Sequence, residues 1–269
     1  MVISKRPKIG LALGSGGARG LTQIGILKVL NENNISIDFI AGSSAGSIVG
    51  AYYALYGNVA GFEKAIRKLS KKDLLKLAYV NSTRKGITGE KVMEFLMGII
   101  GDKDFSDTKI PLKIIATDME LGKEVWFDRG KLSEAIRASI SLPGIFYPAK
   151  IDKKFYLDGG IVNPTPVDVV KSMGADIVIA VDHTMAGAVK IKDPSIYSSL
   201  TRAFEIIRTQ VAESKIGKID KNVILIRIEN KKMGDSYNFY NKRFIANGVK
   251  IAREHLEEIK KKIENWDRD

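Results

Sequence analysis

The chain has 269 residues, a formal net charge of +12 at pH 7, 45% hydrophobic and 28% charged residues, no cysteine and two histidines. That composition fits a globular chain with one large α/β domain or two small ones. It excludes disulfides, thiolate metal sites and a cysteine nucleophile, and it argues against a multi-histidine metal centre.

The basic balance favours an anionic partner: nucleic acid, a phosphate-bearing substrate or an anionic membrane surface. No run of about 20 apolar residues occurs, so no transmembrane helix is expected. The stretch Met1 to Lys8 is too short and too charged for a signal peptide. The expected location is cytoplasmic, with peripheral contact at the inner membrane surface.

Lys8 to Leu13 reads as a first strand running into Gly14-Ser15-Gly16-Gly17-Ala18-Arg19-Gly20. A helix follows, with Ile24, Leu27, Val29 and Leu30 on its apolar side, and Ile37 to Ala41 reads as the second strand. Residues 8–44 are thus a βαβ unit, which is normally parallel and right-handed. Ser44 stands 28 positions after Gly16, one strand-helix-strand step. The glycine loop and the serine therefore belong at the carboxyl ends of neighbouring strands, where open α/β sheets place their sites.

The helix after Ser44 runs through Tyr52 and Leu55 to a stop at Gly57-Asn58. Residues 61–100 read as helical, with breaks near Asn81-Ser82-Thr83 and Gly86. Within them, Lys64 to Leu77 alternates lysines and arginine with aliphatic residues, the pattern of a solvated surface helix or of a membrane-surface segment. Strands are predicted at Lys113–Asp118, Glu124–Phe127, Phe155–Leu157, Ile177–Val181 and Val223–Ile228. Helices are predicted at 131–139, at 166–173 with Pro166 at the start, at 196–216 and at 244–266. Ser141 to Pro148 reads as a loop by its prolines. No internal repeat or disordered linker interrupts this order, so one domain is the economical reading.

Gly42-Ser43-Ser44-Ala45-Gly46 matches the nucleophile elbow, in which a serine sits on a strained strand-to-helix turn. Small residues leave room for the turn, and a helix N-terminus beside Ser44 favours an oxyanion. The same pattern also serves as a plain helix cap.

The glycine loop likewise has two readings. Backbone amides freed by consecutive glycines form an oxyanion hole. A dinucleotide fingerprint needs a third glycine where Arg19 stands, and Asp38 lies at the wrong end of its strand for the ribose acid. No cofactor and no metal are expected.

A serine nucleophile needs a base. His255 sits mid-helix among charged residues, and His183 follows an apolar strand. Asp158 ends a strand and is followed by Gly159-Gly160, which lets it pack against another backbone. A carboxylate becomes basic enough only if water is excluded around it.

Taken together, the Gly14–Gly20 loop, Gly42-Ser43-Ser44-Ala45-Gly46 and Asp158-Gly159-Gly160 resemble the patatin-like phospholipase family. Ala138 to Phe146 and Gly160 to Pro166 resemble it too, and the likeness covers about residues 9–182. The resemblance implies a three-layer α/β/α fold with a mainly parallel central sheet. It also implies a Ser–Asp dyad without histidine, an acyl-enzyme, and hydrolysis of lipid acyl esters of the phospholipase A or lysophospholipase type. By that resemblance Ser44 is the nucleophile, Asp158 the base, and Gly16, Gly17 and Arg19 belong to the oxyanion hole. Gly14, Gly20, Gly42, Gly46, Gly159 and Gly160 are motif glycines.

Ser15 departs from the family, which commonly has glycine there. Residues 9–182 form the expected catalytic region, and 183–269 are expected to complete the same domain. The expected partners are a lipid or other acyl-ester substrate and an anionic membrane surface. Nucleic acid is not expected, because the basic residues interleave with aliphatics rather than aromatics. The alternative is a basic membrane-surface binding module on a hydrolase fold with little or no catalysis.

Overall fold

A computed structural model describes residues 6–70, 89–184, 195–216, 221–228 and 243–266. Its centre is β1 (Ile9–Leu13), buried along its whole length. β1 is flanked in parallel by β2 (Phe39–Ser43) and β7 (Ile177–Asp182). The parallel set continues outward to β3 (Leu112–Asp118) beyond β2 and to β8 (Val223–Arg227) beyond β7. Antiparallel strands β4 (Lys123–Phe127), β5 (Ala149–Ile151) and β6 (Lys154–Asp158) extend the sheet past β3.

The sheet has helices on both faces, and side-chain size decides how close each helix comes. On one face Ile9, Leu11, Leu13 and Ile40 join the larger core with α1 (Thr22–Glu32) and α2 (Ala45–Tyr56). The terminal helix α8 (Arg243–Glu264) packs along α1 and adds Phe244, Ile245 and Ile259 to that core. On the other face Ala12, Ala41 and Ala180 leave room for α6 (Val167–Ser172), whose Val167, Val169 and Val170 fill the smaller core. Both faces of the parallel strands are thus buried, which is why their sequences run apolar without alternation. The expected mixed α/β fold with a central sheet and flanking helices is what the chain adopts.

The remaining described helices are α3 (Ala60–Lys68), α4 (Glu90–Ile100), α5 (Leu132–Ser139) and α7 (Ile196–Ile216). In the basic segment Lys64 to Leu77, Lys64 and Lys68 lie exposed on α3, while residues 71–77 and the expected breaks at 81–83 and 86 lie outside the described residues.

Most element ends shift by one or two residues from the sequence reading, and two differences have a clear physical cause. β2 starts at Phe39 rather than Ile37 because the Asp38 carboxylate accepts the Ile9 amide at 2.7 Å and pairs with Arg6, so the ladder opens only after it. β5 was not predicted. Its two-residue turn to β6 is Asp152-Lys153, both at positive φ, and it lacks the Asn-Gly or Asp-Gly signature of such turns.

The edge of β3 builds the site. β2 pairs with β3 as far as Ser43 opposite Ile115. β6 pairs with the next residues of β3, with Asp158 opposite Ala116. Residues Ile114 to Asp118 use their other edge for β4, so β2 and β6 lie end to end on one edge. β6 runs antiparallel to β3 and β2 parallel to it, so their carboxyl ends face each other. That register brings together Ser44 and Asp158 from 114 positions apart.

Candidate active site

Ser44 caps α2 at φ 52°, ψ −121°. A non-glycine residue in that region stores about 1–3 kcal/mol of strain, held here by the surrounding packing. Its amide donates to the Ser139 hydroxyl on α5 at 2.8 Å. Its half-buried hydroxyl donates to Asp158 Oδ2 at 2.7 Å. The neighbouring serines point elsewhere: Ser43 and Ser47 are fully buried, and the Ser47 hydroxyl donates to the Ser44 carbonyl.

Asp158 is held from three sides. Its Oδ1 accepts the Gly160 amide at 2.7 Å, its carbonyl accepts the Thr117 hydroxyl, and its amide donates to the Ser141 carbonyl. Arg137 on α5 braces that same segment through the Ser141 hydroxyl and the Tyr147 carbonyl. Burial pushes the Asp158 carboxyl up to about 6, against the opposing pull of the Ser44 and Gly160 hydrogen bonds and the charge of Arg208. The group is ionised at neutral pH yet more basic than an ordinary aspartate.

The glycine loop closes the third side. The Gly14 amide donates to the Val181 carbonyl and the Ser15 amide to the Pro164 carbonyl, which fixes the loop start. Gly17 then turns at φ 55°, a left-handed conformation that suits glycine, and opens a short 3-10 turn to Leu21. Two close approaches tie the motifs together. A Cβ on Gly20 would stand 2.5 Å from that of Ala45, and one on Gly160 would stand 2.5 Å from the Ser15 hydroxyl. Gly42 is the penultimate residue of β2, Gly46 packs its first-turn backbone on β1, and Gly159 opens the turn after β6.

The histidines stand apart from this pair. His183 is fully buried, with Nε2 2.7 Å from the Thr22 hydroxyl. Burial and then the charges of Arg19 and Arg208 hold it well below the usual histidine range, so it is neutral. Its ring backs Gly16, where a Cβ would meet Cγ at 2.8 Å. His255 lies on α8 with Nδ1 3.0 Å from the Ile251 carbonyl oxygen.

Arg19 is 1% exposed, and its guanidinium pairs with Glu205 on α7 at 3.0 Å. Glu205 also pairs with Arg208 at 2.6 Å. Sequence reasoning missed Ser139, Thr117, Glu205 and Arg208. Ser139 lies in a stretch that carries the resemblance, but α7 offered only ordinary helical charges, and nothing in one sequence says that those charges face inward.

A family model described as Patatin-like phospholipase matches residues 11–171. The chain belongs to the patatin-like phospholipase family. Family relatives include an uncharacterised NTE family protein of Mycobacterium bovis, 38% identical over 196 residues, or 72% of this chain and 54% of that protein. Lysophospholipase nte1 of Aspergillus niger is 32% identical over 203 residues, 73% of this chain and 13% of that protein. The chain thus spans about half the length of the mycobacterial relative. Among solved structures, VipD from Legionella pneumophila shares the fold, with a TM-score of 0.53 at 14% identity over 94% of this chain and 67% of that one. The family match ends before β7, so α7, β8 and α8 lie beyond it.

Proposed function

We propose that the chain is a serine hydrolase of lipid acyl esters, of the phospholipase A or lysophospholipase type, working through a Ser44–Asp158 dyad. The observation that carries this reading is the 2.7 Å hydrogen bond from a strained, half-exposed serine to a buried carboxylate of raised pKa. Asp158 takes the Ser44 proton as Oγ attacks the ester carbonyl carbon. The negative charge on the carbonyl oxygen is met by the Gly16 and Gly17 amides and by the N-terminus of α2. Collapse of that intermediate breaks the ester C–O bond, and Asp158 returns the proton to the leaving alcohol. Water, deprotonated by the same carboxylate, then releases the fatty acid and restores Ser44. Residues 9–182 supply the reacting groups in this reading, and 183–269 complete the same domain.

The lysophospholipase name of the fungal relative favours a lipid substrate. Such substrates lie in an interface, and the net charge of +12 suits an anionic leaflet. A chromogenic short-chain acyl ester tests the chemistry without a membrane. Asp158→Asn should lower turnover by a factor on the order of 10³ or more, while His183→Ala and His255→Ala keep most of it. A histidine variant as inactive as Asp158→Asn would replace the dyad with a triad. An inert wild-type protein that still binds vesicles would favour the binding-module alternative.

A further inference from the structure

We infer that Arg208 and Glu205 of α7, with Arg19, form a charged backing that positions and polarises the two oxyanion peptides of the glycine loop; the inference rests on the Ser44–Asp158 reading. Arg208 donates from Nη1 to the Ser15 carbonyl at 2.6 Å and to the Ser15 hydroxyl at 3.0 Å. The Ser15 carbonyl and the Gly16 amide belong to one peptide group. Arg19 donates to the Gly16 carbonyl through its own amide at 3.1 Å and through Nε at 3.4 Å. The Gly16 carbonyl and the Gly17 amide belong to the next peptide group. No cis peptide bond occurs among the described residues, so in each group the N–H points away from the guanidinium. A cation on a carbonyl oxygen draws electron density through the amide and strengthens its N–H as a donor. Each of the two peptides assigned to the oxyanion carries a cation on its far side.

Glu205 links the two cations. It accepts from Arg19 at 3.0 and 3.3 Å and from Arg208 at 2.6 Å. Burial pushes its carboxyl up, but the charges of Arg208 and Arg19 outweigh burial and hold it below the usual glutamate range, so it stays ionised. Two guanidiniums and one carboxylate carry one net positive charge between them. All three side chains are nearly fully buried, so water screens that charge little. Arg208 also donates from Nη2 to the His183 carbonyl at 3.2 Å, which ties the backing to the end of β7.

The arrangement accounts for Ser15, the position where the chain departs from the family's glycine. Its hydroxyl is a second acceptor for Arg208. It also gives α7 a role beyond the family match: the helix turns Glu205 and Arg208 inward and leaves Ile196, Leu200 and Ile207 exposed. That inversion of the usual pattern needs a buried polar target, and the glycine loop is one. Glu205, Arg208 and Arg19 act through the loop backbone and are positioning residues.

Arg208→Gln and Arg208→Lys test the inference on a soluble acyl ester, alongside thermal unfolding and fluorophosphonate labelling. Arg208 is the charged group whose field reaches Asp158, the other influences there being burial and the Ser44 and Gly160 hydrogen bonds. Arg208→Gln should lower kcat about 10- to 100-fold, leave KM within about twofold, and move the midpoint of the pH–rate rise upward. Arg208→Lys keeps the charge but not the paired donors. It should recover part of kcat and leave the midpoint near the wild-type value. A folded Arg208→Gln protein with wild-type kcat and an unmoved midpoint would overturn the inference. Should Arg208→Gln fail to fold, Arg208→Lys decides: a several-fold loss of kcat supports the backing, and wild-type kcat overturns it. A wild-type protein that neither turns over the ester nor takes the label would instead sink the dyad reading, and this inference with it.

Discussion

Asp158 is 2% exposed, and its carboxyl titrates near 6 because burial outweighs the hydrogen bonds that favour its charge. The folded-state value lies above the ordinary 3.8, so between the two the folded protein holds more protons than the unfolded chain. Stability from this group therefore falls as pH rises from about 4 to about 6, by about 3 kcal/mol in all. Proton transfer needs the opposite: the carboxylate must be ionised, so turnover should rise through pH 6 and level off above it. Asp158→Asn separates the two. Its amide oxygen still accepts from Gly160 and its NH₂ donates to Ser44, yet it carries no buried charge. Urea unfolding at pH 8 should show the inactive variant to be more stable than wild type, with the difference gone near pH 4. Lower stability of the variant at pH 8 would mean that the carboxylate's hydrogen bonds outweigh its burial.

At the scale of elements, the strand-turn-helix from β2 into α2 depends on how closely α2 approaches β1. A Cβ on Gly46 would collide with the Leu13 carbonyl oxygen, a backbone atom that cannot rotate away. Gly46→Ala should therefore push α2 off the sheet, cost about 1–3 kcal/mol and lower turnover through displaced Ser44 geometry. A variant with unchanged unfolding midpoint and turnover would show that the turn relaxes freely. The βαβ unit was legible because β1 and β2 are short apolar runs that each lead into a glycine-containing turn. The long helix at Ile196–Ile216 was legible from its length and periodicity. The hairpin β5–β6 was not, because Lys153 occupies a left-handed turn position that sequence preference assigns to glycine or asparagine. Neither was the meeting of the β2 and β6 ends. It depends on which edge of β3 each strand takes, and a single sequence carries no register between distant segments. Ser44 and Asp158 could be named from their local turns, whereas Glu205 and Arg208 become visible only once α7 is placed.

Across the whole molecule, an apolar surface adjoins the site. Ile196 is 83% exposed and Leu200 56% exposed on α7, and Leu200 lines a small groove with Leu142, Pro143 and Ile145 from the loop after Ser141. A lipid interface suits such a surface on a chain of net charge +12. Binding should be tighter to anionic than to neutral vesicles and should weaken with salt. Leu200→Glu combined with Ile207→Glu should reduce vesicle binding and vesicle hydrolysis while sparing a water-soluble ester. Equal losses on both substrates would show that this side of α7 supports the fold instead. The chemistry itself comes down to one atom. Mass spectrometry after fluorophosphonate treatment should find the label on Ser44, absent from Ser44→Ala and formed far more slowly in Asp158→Asn. A label on Ser43 or Ser47, or equally fast labelling of Ser44 without Asp158, would contradict the dyad.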